Sequence, residues 1–259
     1  MSITPEISRM KEWPWAGPSD KLINEDSKSN EQLGTCTTWP RITIVTPSLN
    51  QGSFIEQSIR SVLLQGYPNL EYFIIDGGSS DETVDLIRKY EPYLAGWVSE
   101  HDKGQSNALA KGFANATGDY LGWINADDIY LPGALFAVGH AARRFGNSII
   151  AGNVANMHVE SGMQVIISQQ NIRLKELLKP WKNSSRYHQP GIFFPRRYYQ
   201  RIGGINESLR YAMDYDLYCR LLMIPIPVKY IDQVLAQFRL HKSSTVSYTH
   251  LTLPTKRIV

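Results

Sequence analysis

The sequence predicts an α/β fold: a mostly parallel sheet flanked by helices, with a smaller antiparallel lobe built onto it. Three observations lead there. Apolar, β-branched runs alternate with amphipathic helical stretches from Arg41 to about Phe145. Those runs are continuously apolar, as strands are when helices cover both faces of a parallel sheet. Beyond Phe145 the alternation stops, and strand-like segments follow one another as they do in antiparallel pairing.

Taken in order, "RITIVTP" is a buried strand, and "SFIEQSIRSVLLQ" is an amphipathic helix whose Ser53 and Glu56 have capping-box spacing. "EYFIIDGG" is the second strand, and "SSDETVDLIRKY" the second helix, with Ser79 and Glu82 spaced in the same way. "GWVSE" is a short third strand, "GQSNALAKGFANA" a third helix and "YLGWINA" the fourth strand, after which a helix restarts near Pro132. Two antiparallel strands are expected in "SIIAGNVANMHVE" and "MQVIISQQ", then a basic, polar loop, "LKPWKNSSRYHQPG". The segment "IFFPRRYYQRIGG", a helix "DYDLYCRLLM" and strands around "VKYI" and "LAQFRL" complete this half.

Residues 1–40 are rich in Pro, Ser, Asn and charge, an irregular leader whose Trp13, Trp15 and Trp39 are expected to pack on the domain. Residues 246–259 ("VSYTHLTLPTKRIV") read unlike the rest. They resemble the in-frame translation of a sequencing adapter, so the natural chain is expected to be cut short near Thr245.

Composition sets outer bounds. The chain has 259 residues, 42% hydrophobic and 20% charged, ordinary for a globular protein with ample core. Its net charge of +3 is spread without a run of Lys and Arg, which argues against a nucleic-acid partner. Cys36 and Cys219 stand far apart with no metal spacing, so buried thiols in a reducing compartment are expected, with a disulfide as the alternative. The N-terminus has no apolar signal-peptide core, and no apolar run approaches the ~20 residues of a membrane span. A cytoplasmic location is expected, with peripheral contact at the inner face of the plasma membrane left open.

One stretch asks for an explanation: "GDYLGWINADDIYLPGAL" places Asp127 and Asp128 at the end of an apolar strand. Two unit charges ~5 Å apart repel by about 3 kcal/mol at an effective dielectric of about 20. A divalent cation would offset that repulsion; a turn or helix cap, where Asp is common, is the plainer alternative. In open α/β sheets ligands bind at the carboxyl ends of the strands. That rule gathers Ser48, Asn50, Asp76, Asp102, Asp127 and Asp128 along one rim.

Several motifs together resemble the family 2 glycosyltransferases of the GT-A fold, with its Rossmann-like, mostly parallel sheet. They are "ITIVTPSLNQGSFIEQSIRSVLLQGYPNLEYFIIDGGSSDET", "SEHDKGQSNALAKGF", "GDYLGWINADDIYLPGAL", "HQPGIFFPRRYYQRIGGINESL", "MDYDLYCRLL" and "FRLHKSST", covering roughly residues 41–245. The resemblance implies a nucleotide-binding half at 41–145 and an acceptor half at 146–245. It implies inverting transfer of a hexosyl or N-acetylhexosaminyl group from a nucleotide-diphospho-sugar, UDP-linked by default. The acceptor would be a glycan or lipid-linked molecule in cell-surface polysaccharide synthesis.

The site residues carried over follow the motifs. Asp128 would ligate Mg²⁺ or Mn²⁺, with Asp127 toward the ribose or the metal shell and His241 as a third ligand or phosphate contact. Carboxylate-held metal suits the chemistry, because the departing diphosphate gathers negative charge. Asp76 would face the base, and Pro47, Ser48 and Asn50 the nucleoside. Asp102, Lys103, Gln105 and Asn107 would meet the base, ribose and donor sugar. Asp214 aligns with the catalytic base, with Asp216 and His188 on the acceptor side. Inverting sugar chemistry needs such a base opposite the leaving group. The sequence departs from the family pattern at Asn107, where relatives often carry Asp, at Ala110, where they carry Asn, and at Met213, where an acid is usual.

Two other readings stand beside this one. A nucleotide-sugar binding module without turnover would fit Met213 and the short chain end. A sugar-nucleotide pyrophosphorylase shares the alternating sheet but wants a glycine-rich, basic loop after the first strand. "TPSLNQGS" has one Gly and no Lys or Arg.

Overall fold

The computed structural model describes residues 38–179, 187–242 and 244. The expectations for Trp13, Trp15, Cys36 and residues 246–259 lie outside the described residues. Strands β1 (Ile42–Ser48), β2 (Leu70–Asp76), β3 (Gly96–Ser99) and β4 (Tyr120–Trp123) alternate with helices α1 (Gly52–Leu63), α2 (Thr83–Tyr90) and α3 (Gln105–Ala114). After β4 come β5 (Ile129–Tyr130), α4 (Ala134–Phe145), β6 (Ile149–His158), β7 (Gln164–Ile167) and the short α5 (Leu174–Leu177). The chain then forms β8 (Ile192–Pro195), α6 (Arg196–Arg201), α7 (Met213–Leu222) and β9 (Val228–Leu240).

All nine strands join one sheet in the order β3-β2-β1-β4-β8-β6-β9-β5, with β7 added to β6. β1 through β4 pair in parallel. Their sequences are apolar throughout because both faces are covered. Ile42 and Ile44 face one core with Ile55, Ile59 and Val62 of α1, Ile87 of α2, and Leu135 and Val138 of α4. Val45 and Ile75 face the other, with Leu109 and Phe113 of α3 and Leu217, Tyr218 and Leu221 of α7. Helix α3 lies so close to β1 that a Cβ on Gly112 would stand 2.5 Å from the Val45 side chain. Trp39 docks as expected, edge-on to Tyr67, Phe136 and His140.

The second half is more mixed than its sequence suggests. β7 and β8 run antiparallel to β6, but β9 runs parallel to it, having crossed over through α7. The two strands expected around "VKYI" and "LAQFRL" are one 13-residue strand. Its register with β6 slips around Gly152 and Asn153, so the polar Asp232-Gln233 stretch interrupts the pattern without ending the strand. β8 pairs with both β4 and β6 and fuses the halves.

Neither capping box forms. Glu56 instead accepts hydrogen bonds from Lys89 Nζ (2.6 Å) and Tyr90 Oη (2.7 Å). The Ser79 hydroxyl donates to Asp76 (2.5 Å), and Asp81 meets the N–H groups of Gly52 and Thr83 (2.9 and 3.1 Å). Tertiary partners outbid local caps. Cys219, expected to be buried, is only half-buried on α7.

Candidate active site

The parallel strands end level with one another: Ser48 pairs with Asp76, and Asp76 with Ser99. Pro47 and Ser48 are thus the last residues of β1 rather than part of the loop after it. Asp76 is buried, and its carboxylate accepts from the N–H groups of Gly78 and Ser79 (3.1 and 2.9 Å) and the hydroxyls of Ser79 and Ser99 (2.5 and 2.7 Å). That set turns the chain out of β2, and Gly78 takes a φ of +85° that a side chain would resist. Asn50 ties the neighbouring loop to it, donating its N–H to Ser79 Oγ (2.7 Å) and accepting from Ser80 N–H (2.9 Å). Between these loops the Ser48 hydroxyl is buried with no hydrogen-bond partner among the described residues. Such a group is one a ligand could satisfy.

The loop after β3 is tight in the same way. Asp102 accepts from Gly104 N–H (2.7 Å), and its carboxylate covers Gly77, where an added Cβ would stand 3.1 Å from it. Lys103 is exposed. Gln105 donates to Asn125 Oδ1 (2.7 Å), reaching the loop that carries the acidic pair. Asn107 donates to Glu207 (2.5 Å), and Ser106 donates to the Leu209 carbonyl. Those two bonds tie the loop ahead of α7 to the start of α3.

The acidic pair splits. Asp128 is fully buried, with Oδ1 accepting from the backbone N–H of Arg239 (2.9 Å), and its own carbonyl takes the Ser58 hydroxyl. Burial, then the charge of Asp127, pushes its carboxyl pKa well up. Asp127 faces the other way, partly exposed, with Oδ2 3.1 Å from His241 Nε2. The His241 ring stacks on Phe54 at 4.4 Å, and the buried Arg239 guanidinium lies 5.0 Å from the centre of the Phe54 ring. Arg239 donates to the Asp127 carbonyl and to Gln57 Oε1, and burial pulls its pKa down to about 10. Phe54, Gln57 and Arg239 were missed by sequence reasoning. The only signal was the place of Arg239 two residues before His241.

Among the described residues no three His, Cys, Asp or Glu side chains gather as a metal site. Asp127 and His241 supply two donors 3.1 Å apart. Ligands ~2.1 Å from an octahedral metal, at right angles, stand ~3 Å from each other, so the spacing fits. A carboxylate with an imidazole suits Mn²⁺, and such ions commonly complete their shell with substrate phosphates and water.

Asp214, the expected base, sits in the first turn of α7, after Ala212 in the left-handed region at φ 57°. Burial raises its pKa, and the nearby backbone N–H groups of Asp214 and Tyr215 offset part of that rise. Asp216 turns elsewhere, pairing with Arg220 (2.6 and 2.8 Å), which also donates to the Ile202 carbonyl (3.0 Å). His188, just ahead of the turn leading into β8, packs against β6 and β9, with Nε2 2.7 Å from Asn156 Oδ1 and its ring 4.8 Å from Phe238. Burial lowers its pKa to about 4, so the ring is neutral at physiological pH.

Comparison with known proteins agrees with this architecture. The profile described as "Glycosyl transferase family 2" matches residues 43–203. An uncharacterized glycosyltransferase of Rickettsia felis is 27% identical over 214 residues, covering 78% of this chain and 34% of that protein. This chain spans between about a third and two thirds of the length of most of the first curated relatives it matches. Among solved structures, S. aureus TarS 1-349 in complex with UDP-GlcNAc superposes with a TM-score of 0.65 at 16% identity, covering 80% of this chain and 60% of that one. The mannosyltransferase PcManGT from Pyrobaculum calidifontis, in complex with GDP-Man and Mn²⁺, gives 0.60 at 21% identity, covering 88% and 66%.

Proposed function

The chain belongs to glycosyl transferase family 2, and on that premise we propose that it moves a sugar, with inversion, from a nucleotide-diphospho-sugar to a glycan or lipid-linked acceptor. UDP-sugars are the leading donors. The observation that carries this reading is the split acidic pair. One carboxylate is locked inside the fold, and the other stands half-open beside an imidazole at the carboxyl ends of the parallel strands.

In this reading Asp127 and His241 hold Mg²⁺ or Mn²⁺, and Asp128 shapes the loop instead of ligating. The bound ion supplies charge neutralisation for the departing diphosphate. The Ser48 hydroxyl offers a hydrogen bond to the nucleoside, while the Asp76 turn and the Asp102–Gln105 loop form its walls. Asp214 takes the proton from the attacking acceptor hydroxyl at its carboxylate, helped by a pKa that burial has raised. Asp216 and His188 act through packing and not on the acceptor. TarS bound to UDP-GlcNAc and PcManGT bound to GDP-Man and Mn²⁺ support the donor class. Among the described residues no helix is long and apolar enough to cross a membrane, and peripheral contact is the membrane association proposed.

The test is a thermal-shift panel of UDP-, dTDP- and GDP-sugars with and without Mn²⁺. A bound donor at a hundredfold excess over Kd stabilises by about 2.7 kcal/mol. The reading expects one nucleotide class to give a metal-dependent shift and to release its diphosphate with an acceptor present. Binding with no turnover for any donor would favour the binding module.

A further inference from the structure

Tyr218 on α7 is 1% exposed, and its hydroxyl has no hydrogen-bond partner among the described residues. Buried hydroxyls almost always find one, so an orphan calls for a reason. The ring cannot easily move to cure the defect. It stacks on Trp123 at the end of β4 (6.1 Å, 18°) and meets Tyr187 edge-on (5.6 Å, 75°).

Tyr218 lies four residues after Asp214, so the two side chains share one face of the helix. Side chains on a helix lean toward its N-terminus, which carries the phenol back over the first turn. There the Asp214 carboxylate lies near its own N–H and that of Tyr215, and its charge reaches the Tyr218 phenol. A donor with no acceptor among the described residues therefore sits near a carboxylate that it does not bond.

We propose that Tyr218 is a positioning residue for Asp214. As the acceptor site fills, the carboxylate turns from the helix N–H groups to take the Tyr218 O–H on one oxygen, leaving the other aimed at the acceptor hydroxyl. This rests on the reading of Asp214 as the base. In the transfer the acceptor O–H bond breaks and its proton goes to the free carboxylate oxygen. The acceptor oxygen bonds to the anomeric carbon as the bond from that carbon to the diphosphate oxygen breaks. Tyr218 keeps its proton throughout.

The test is Tyr218→Phe in the full chain. Without ligand its unfolding midpoint should equal or exceed that of the wild type, because an unpartnered hydroxyl is removed and the ring packing stays. A lower midpoint would mean the hydroxyl is already satisfied, and overturns the proposal. Nucleotide release is then followed from UDP-glucose, UDP-GlcNAc and GDP-mannose with Mn²⁺. The expected result is a kcat about tenfold to a hundredfold lower with the donor KM unchanged, the size of one hydrogen bond to a charged group. Tyr187→Phe should stay close to the wild type. An unchanged kcat in Tyr218→Phe, with Asp214→Asn inactive, sinks this proposal alone. Full activity in Asp214→Asn sinks the base assignment beneath it. A wild type that releases nucleotide from none of the three sinks the transferase reading and this proposal together.

Discussion

The donor rim and the acceptor helix hold their carboxylates by opposite means. Asp76 is fixed by four hydrogen bonds from two elements, and Asp128 by the backbone of a strand 111 residues away. Asp214, by contrast, is largely buried in the first turn of its own helix, near the backbone N–H groups of Asp214 and Tyr215. The donor side is thus built before a ligand arrives, while the acceptor side keeps one group free to adjust. Under the proposed function, a rigid diphosphate cradle paired with an adjustable base would suit an enzyme that must recognise one ligand and deprotonate another.

The contrast breaks most directly at the base. Asp214→Asn should cut transfer by about 10²–10⁴-fold, the usual worth of general base catalysis, with donor binding intact in the thermal-shift panel. Because burial raises the Asp214 pKa, activity should fall with decreasing pH above the ordinary carboxylate range. A pH–rate profile flat down to that range would remove Asp214 from the role.

Next in size is His188. Its folded pKa, about 4, lies below the ordinary 6.5, so the unfolded chain binds more protons between those values. Stability is therefore complete above about pH 6.5 and lost as pH falls toward 4, by about 3 kcal/mol over the window. Denaturant unfolding of the wild type and His188→Gln at pH 7 and pH 4.5 should show a smaller pH dependence in the variant.

The acidic pair sharpens the donor side. Asp128→Ala should lose about 1–3 kcal/mol of stability by orphaning the Arg239 N–H. Asp127→Ala should fold as well as the wild type yet lose the Mn²⁺-dependent part of the donor shift. Isothermal titration of Mn²⁺ and UDP would decide it, and the reverse pattern would return the metal to Asp128. Smallest is Asp216→Asn. Its i,i+4 pair with Arg220 is partly exposed, so about 0.5 kcal/mol of stability and no catalytic effect are expected by thermal melt and assay.

The same division governs what could be read from sequence. β1 to β4 were legible because strands covered on both faces show unbroken apolar runs, and the rim then followed from topology. Asp127 and Asp128 could not be told apart, because which one turns inward is decided by the docking of β9, far along the chain. Arg239 and Phe54 looked like ordinary strand and helix residues, their cation–π contact being wholly tertiary. β9 was split in two on the page since Asp232 and Gln233 interrupt its pattern, whereas Asn153 donates to Asp232 (3.1 Å) and carries the strand through. The capping boxes failed for a related reason: Ser79 and Glu56 found better partners in neighbouring loops and helices.

The last described strand has one more consequence. β9 delivers both the N–H that locks Asp128 and, through His241, the ring that faces Asp127, across separations of 111 and 114 residues. The first half of the chain therefore cannot finish its own ligand corner. Contacts of such long range form late. Competence to grip a donor should emerge as the closing event of folding, well after the parallel strands have collapsed.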